Sequence, residues 1–175
     1  MLTCGHIFRG GKEGGKITVD LFNERGAHTG SVPGQVIRYD MKRDVGLLAI
    51  RPGRDIEPMK IAGRGQRVLR GDRVFSIGCD KGNPPTMRDS RVSHLNTYLG
   101  PANIAVAGAP TDGRSGGGLF AADGTIIGGC NAADPEDDEG LYAAIETIHA
   151  ELVAAKLHFL IDDNQAIALR RDETN

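Results

Sequence analysis

Short apolar alternations, cut by turn residues, run through most of the chain and restrict it to an antiparallel β architecture. KITVDLF (16–22) places Ile17, Val19 and Leu21 on one face, the period of a half-buried strand. SVPGQVIRYD (31–40) is a second strand, and Pro33-Gly34 inside it predicts an edge or a bulge. VGLLAI (45–50) is a continuous apolar run that fits a strand buried on both faces, ended by Pro52-Gly53. AGRGQRVLRGD (62–72) has no period and reads as a link. Strands resume at RVFSIG (73–78), SRVSHLNTYL (90–99) and NIAVAG (103–108), with GNPP (82–85) as a turn. Asp123-Gly124, between two apolar runs, signals a hairpin because both residues tolerate positive φ. The period changes only near the end. Leu141, Ile145, Ile148 and Leu152 recur at helical spacing and predict a helix from about residue 143 to 160, with His149 and His158 on its solvated side.

This order predicts an all-β, two-lobed chain with one C-terminal helix. The boundaries are 1–63 for the first lobe, 64–143 for the second, 144–160 for the helix and 161–175 for a polar tail. Met1-Leu2-Thr3 reads as the end of a strand with no preceding strand to pair with.

With 175 residues the chain can bury a substantial core. Its 23 acidic and 21 basic residues leave a net charge of −2, which offers no electrostatic footprint for nucleic acid or an anionic membrane. No apolar run approaches the length of a spanning helix. Cys4, Cys79 and Cys130 are too few and odd in number for a disulfide framework, and read as small buried hydrophobes. Cys4 lies two residues before His6, but no second pair follows at metal-finger spacing, so neither a metal nor an organic cofactor is expected. No secretory signal is visible at the start.

DGRSGGGLF (112–120) sets one hydroxyl, Ser115, among four glycines. Such density suits a nucleophile on a tight turn with backbone N–H groups left free for an oxyanion. A nucleophilic serine needs a base, and the base needs a carboxylate. His6, in LTCGHIF, follows a strand end. Asp44, in RDVGLLAI, precedes a run of six apolar residues that draws it inward. Asp40 is the competitor, flanked by Tyr39, Met41 and Lys42 in a more exposed turn.

LTCGH, RDVGLLAI and DGRSGGGLF followed by DGTIIGG resemble, in this order, the histidine, aspartate and serine motifs of trypsin-like (chymotrypsin-fold) serine proteases. The spacing is nearest to the compact bacterial HtrA-type peptidase domains. The resemblance covers residues 2 to about 145 and implies two antiparallel β-barrel lobes. The family has strands before the histidine, so the first barrel is expected to be incomplete. Ser115 is implied as nucleophile, His6 as base and Asp44 as its orienting acid, with the amides of Gly113 and Ser115 as oxyanion hole. Cys130, Asn131, Ala132 and Ala133 would line the groove that holds a polypeptide substrate by strand addition. Ala109, six residues before the serine, would floor the specificity pocket and suit a small or medium apolar side chain. The family works mostly outside the cytoplasm.

Arg114 stands where many relatives carry an acid that receives a newly cut N-terminus, so activation by propeptide cleavage is not expected. By itself Arg114 reads as an exposed loop residue. Gly118 replaces the usual proline. The acidic run DPEDDEG (134–140) lacks calcium-loop spacing and reads as a solvated loop. Two rivals remain. The G-x-S-x-G elbow of α/β-hydrolases needs a helix directly after the serine, and a hairpin follows here. A trypsin-like domain that binds peptides without cutting them would differ in function only.

Overall fold

Alternation inside short strands is satisfied by two antiparallel sheets, seen in a computed structural model that describes residues 1–10 and 16–161. The first is open. It contains β1 (Leu2–Thr3), β2 (Ile17–Phe22), β3 (His28–Asp40) and β4 (Val45–Ile50), in the spatial order β1-β4-β3-β2. The second is a closed barrel of β5 (Arg73–Cys79), β6 (Pro85–Leu95), β7 (Asn103–Ala107), β8 (Gly118–Ala121), β9 (Ile126–Asp134) and β10 (Glu139–Ala144), ordered β10-β7-β6-β5-β8-β9. Closure leaves this sheet without a free edge strand. The two-barrel expectation therefore holds, with the first barrel present as a curled half.

Several expectations need adjusting. β1 finds its partner in a strand that follows it in the chain: Leu2 faces Leu47 and Thr3 faces Gly46 on β4. β3 starts three residues earlier than predicted, and its ladder shifts register between Val36 and Arg38. β6 starts at Pro85, inside the predicted turn, because Cys79 pairs with Pro85 directly. β4 is buried on both faces only over Val45–Leu48, and Ala49 is exposed.

Helix α1 (Ile145–Ala154) stops short of the predicted residue 160. The apolar period continues through Leu157 and Leu160, but Lys156 takes a left-handed φ of 61°, and residues 158–160 form a separate 3₁₀ turn. His149 is buried, not solvated. Its Nε2 lies 2.7 Å from the carbonyl oxygen of Ala62, which fixes the proton on Nε2 because a carbonyl only accepts. His158 is exposed as expected. The predicted tail beyond residue 161 lies outside the described residues.

One apolar core joins the parts. It runs from Val45 and Leu47 on the first sheet, through Val74, Val92, Ile104, Val106, Leu119 and Ile127 in the barrel, to Ile145, Ile148 and Leu152 on α1. The helix thus seals barrel and half-barrel together. No helix among the described residues is long and apolar enough to cross a membrane.

Candidate active site

The start of the chain and the turn before β4 converge first. His6 opens a 3₁₀ turn, residues 6–8, directly after Gly5. A Cβ on Gly5 would sit 2.7 Å from the Asp40 carbonyl oxygen and 3.2 Å from the Val45 nitrogen, so only glycine lets the two segments approach this closely. Asp44 adopts a left-handed φ of 52°, an unfavourable conformation for a residue with a side chain, held because its carboxylate is gripped. Oδ1 accepts the backbone N–H of His6 at 2.6 Å, and Oδ2 faces His6 Nδ1 at 2.8 Å. An ionised carboxylate can only accept, so Nδ1 carries the hydrogen and Nε2 presents a lone pair. Asp40, the competitor, instead caps its own turn through the amides of Lys42 and Arg43.

Cys4 is buried beside that lone pair, with Sγ 3.6 Å from His6 Nε2. Burial, and then the charge on Asp44, pushes its thiol up to about 11. The thiol therefore stays protonated near neutrality and is no rival nucleophile. Burial likewise pushes Cys130 up to about 11. All three cysteines are free.

The serine turn docks against the same place. A Cβ on Gly116 would collide with the Thr3 hydroxyl and come within 2.9 Å of the Cys4 nitrogen, so the turn lies against the end of β1, three residues before His6. Gly116 donates to the Cys130 carbonyl and Cys130 donates to the Gly117 carbonyl, each at 2.8 Å. Ser115 is exposed at the apex. No hydrogen bond joins it to His6 among the described residues, and such bonds are often long before a ligand binds.

Gly113 takes φ 94° and Gly116 φ 81°, both closed to ordinary side chains. Within this turn the Arg114 amide is used by the Thr111 carbonyl and the Gly117 amide by the Arg114 carbonyl. The amides of Gly113 and Ser115 have no acceptor among the described residues, which is the condition an oxyanion hole requires. Gly118 has its own reason for replacing proline. A Cβ there would meet the Phe120 ring at 2.6 Å, and that ring stacks on Phe75 at 5.1 Å.

The residues expected to line a groove, Cys130 to Ala133, lie along β9. β8 covers β9 only from Ile126 to Gly129, and β10 covers its other side. Asn131, Ala132 and Ala133 therefore continue past Ser115 with one side unpaired by any named strand. Register slips between Leu141 and Tyr142, leaving Asn131 as the bulged residue. Ala109 is half-buried, and its amide is held at 2.9 Å by Asp138 Oδ1. The acidic run is thus more than solvated loop. Asp134 accepts from the Tyr98 hydroxyl at 2.9 Å, and Glu139 is buried against His94 Nδ1 at 3.0 Å. No cluster of potential metal ligands occurs among the described residues. A surface hollow between β2 and the segment after β4 does not include Ser115 in its lining.

Arg114 is the residue that sequence reasoning missed. It is only 2 % exposed. Its partners, on Ser76, Gly78, Asp80 and Thr86, are 28 to 38 residues distant in sequence, so nothing local announced them.

The sequence matches the trypsin-like peptidase domain family over residues 1–128. No curated protein sequence matches it. Solved structures of similar fold include the active form of the Rv3671c protease from M. tuberculosis, 18 % identical, with a TM-score of 0.71 over 87 % of this chain and 67 % of that one. The HtrA-type protease AlgW, solved with a decapeptide, is 23 % identical with a TM-score of 0.71 over 90 % of this chain. The chain spans only 48 % of the AlgW length. Deg5 is 23 % identical with a TM-score of 0.67, over 85 % of this chain and 74 % of its own.

Proposed function

The chain belongs to the trypsin-like peptidase family, and on that premise we propose that it is a serine endopeptidase working through His6, Asp44 and Ser115. The observation that carries the reading is the docking of the Ser115 turn on Thr3 and Cys4, at the end of β1, beside an imidazole whose Nδ1 is held by Asp44.

Ser115 Oγ attacks the scissile carbonyl as His6 Nε2 takes its proton. The carbonyl oxygen becomes an oxyanion and receives the N–H groups of Gly113 and Ser115, each such donor being worth about 3 kcal/mol in the transition state. Asp44 stabilises the imidazolium and keeps its tautomer. The tetrahedral species collapses, the amine leaves with the proton from His6, and Ser115 holds the acyl group as an ester. Water, activated by the same His6, then releases the acid and restores Ser115. An extended polypeptide reaches this point by pairing with the open side of Asn131, Ala132 and Ala133. Ala109 at the pocket floor offers no charge, so small or medium apolar side chains are favoured.

Replacing Ser115 by Ala tests the mechanism: casein cleavage is lost while the circular dichroism spectrum is kept. Unchanged cleavage in that variant removes the mechanism. A second reading, a trypsin-like domain that binds peptides without cutting, draws on the missing hydrogen bond between Ser115 and His6. A fluorophosphonate probe separates the two, since it labels Ser115 only if the base and the oxyanion hole operate.

A further inference from the structure

The side chain between the two oxyanion amides points away from the substrate and into the barrel wall. Arg114 Nη1 donates to the Gly78 carbonyl at 3.2 Å, Asp80 Oδ1 at 3.2 Å and Thr86 Oγ1 at 2.9 Å. Nη2 donates to the Ser76 carbonyl and hydroxyl at 3.2 Å each, and to the Thr86 carbonyl at 3.1 Å. A guanidinium is costly to bury, and an apolar side chain of similar volume would cost less. What the guanidinium adds is a planar fork that admits one orientation. The backbone that this fork fixes is the one carrying the Gly113 and Ser115 amides.

Two further ties run to the same wall. Lys81 donates its amide to the Asp112 carbonyl at 2.7 Å, and Arg88 Nη2 bridges Asp80 Oδ2 at 2.7 Å and Thr111 Oγ1 at 2.9 Å. Residues 111–114 are therefore fastened to the β5–β6 hairpin at three points. Burial works against the Asp80 charge, but the hydrogen bonds from Arg114 and Arg88 outweigh it and hold its carboxyl below the ordinary range.

We propose that the Arg114–Asp80 pair is an internal strut that presets the oxyanion hole, making Arg114 and Asp80 positioning residues of this peptidase. The inference rests on the endopeptidase reading above. In this chain a cation immediately before the nucleophile, answered by an acid on the neighbouring turn, keeps the turn in its open-amide form without any newly cut terminus. The strut acts on transition-state charge, so its loss lowers kcat and leaves KM nearly unmoved.

The test measures fluorophosphonate labelling of the whole chain, in which Ser115 Oγ displaces fluoride at phosphorus and the phosphonyl oxygen enters the oxyanion hole. Asp80→Asn labels roughly tenfold more slowly and Arg114→Met about a hundredfold more slowly, with Arg114→Lys between them. The ³¹P shift of the adduct moves in each variant, a signature that a merely structural role would not produce. Asp80→Asn alters only the partly exposed end of the pair, so it remains informative if Arg114→Met fails to fold. Wild-type labelling rates and an unmoved ³¹P shift in folded Asp80→Asn and Arg114→Lys overturn the strut alone. Wild-type protein that neither labels nor cleaves overturns the peptidase reading and the strut together.

Discussion

Asp44 holds His6 at two atoms, accepting its backbone N–H at 2.6 Å through one carboxylate oxygen and facing Nδ1 at 2.8 Å through the other. The first contact fixes where the imidazole starts, and the second fixes its tautomer. Asp44→Asn keeps the shape but offers an N–H₂ group toward Nδ1, which drives the ring hydrogen to Nε2, where it blocks proton uptake. We expect kcat to fall about ten-thousand-fold, the scale of that change in this triad geometry, with KM changed far less. Steady-state kinetics on a peptide substrate checks it. A loss of tenfold or less, on the order of one hydrogen bond, contradicts the assigned role of Asp44.

Gly113→Ala tests the other half of the site. At φ 94° an alanine is strained, and its Cβ would sit 2.8 Å from the Lys81 nitrogen and 2.9 Å from the Cys79 carbonyl oxygen. The turn must shift and one amide leaves the hole. The expected result is a loss of about a hundredfold in kcat, with a melting temperature lowered by a few degrees but the fold kept, because the strain is confined to one turn. Parallel activity and melting measurements separate this from general unfolding.

Much of this site was readable from the chain alone, for reasons that differ by residue. Ser115 and Asp44 were legible because their neighbours are extreme, glycines around one and an unbroken apolar run after the other. The strands were legible where alternation is clean, as in β2, or where a short apolar run is bounded by turn residues, as in β7. Arg114, His149 and Glu151 were not, since each looks like surface and is buried by partners far away in sequence. The Ala62 carbonyl that accepts from His149 is 87 residues distant. The helix end was misplaced because apolar spacing continued after the backbone had turned at Lys156.

Two tyrosines give an alkaline prediction. The Asp134 carboxylate, which accepts the Tyr98 hydroxyl, pushes that phenol up to about 12, and burial pushes Tyr142 up to about 12. A folded pKa above the unfolded value of 10.0 means the native state keeps its proton longer. The stabilisation is complete below pH 10.0 and is lost as pH rises toward about 12. Asp134→Asn removes the acceptor charge, so the Tyr98 phenol titrates earlier by ultraviolet difference spectroscopy while Tyr142 stays high. Identical titration curves for wild type and variant contradict the assignment.

At the acid end the sign reverses. Amide hydrogen bonds from Arg43 and Lys42 hold Asp40 below its ordinary value of 3.8, and the Tyr98 hydroxyl does the same for Asp134. Depressed folded values stabilise the protein above 3.8, and that stabilisation is lost as pH falls through them. The melting temperature should therefore stay level down to about pH 5 and drop steeply below about pH 4. A melting temperature that rises on acidification between those values contradicts the account.

The buried Glu151 on α1 gives the sharpest stability test, because its two partners are unequal to it in exposure. Its side chain is 0 % exposed, whereas Arg38 and Arg43 are 41 % and 36 % exposed. Arg38 Nε lies 2.7 Å from Oε1 without its N–H aimed at it, and Arg43 Nη1, 3.6 Å from Oε2, is too far to donate, so neither carboxylate oxygen accepts a hydrogen bond. The contact is therefore an ion pair in which only the acid is desolvated. Removing the acid lets two half-exposed arginines rehydrate, so Glu151→Gln costs about 1 kcal/mol or less. Removing the base strands a buried carboxylate with one distant cation, so Arg38→Met costs more, about 2–3 kcal/mol after allowance for the exposure of the arginine. The double variant Arg38→Met, Glu151→Met replaces the pair by packing and recovers most of that loss. Urea unfolding of the three variants measures the order, and an equal or reversed ranking of the two single variants means that the buried carboxyl is not held as an ion.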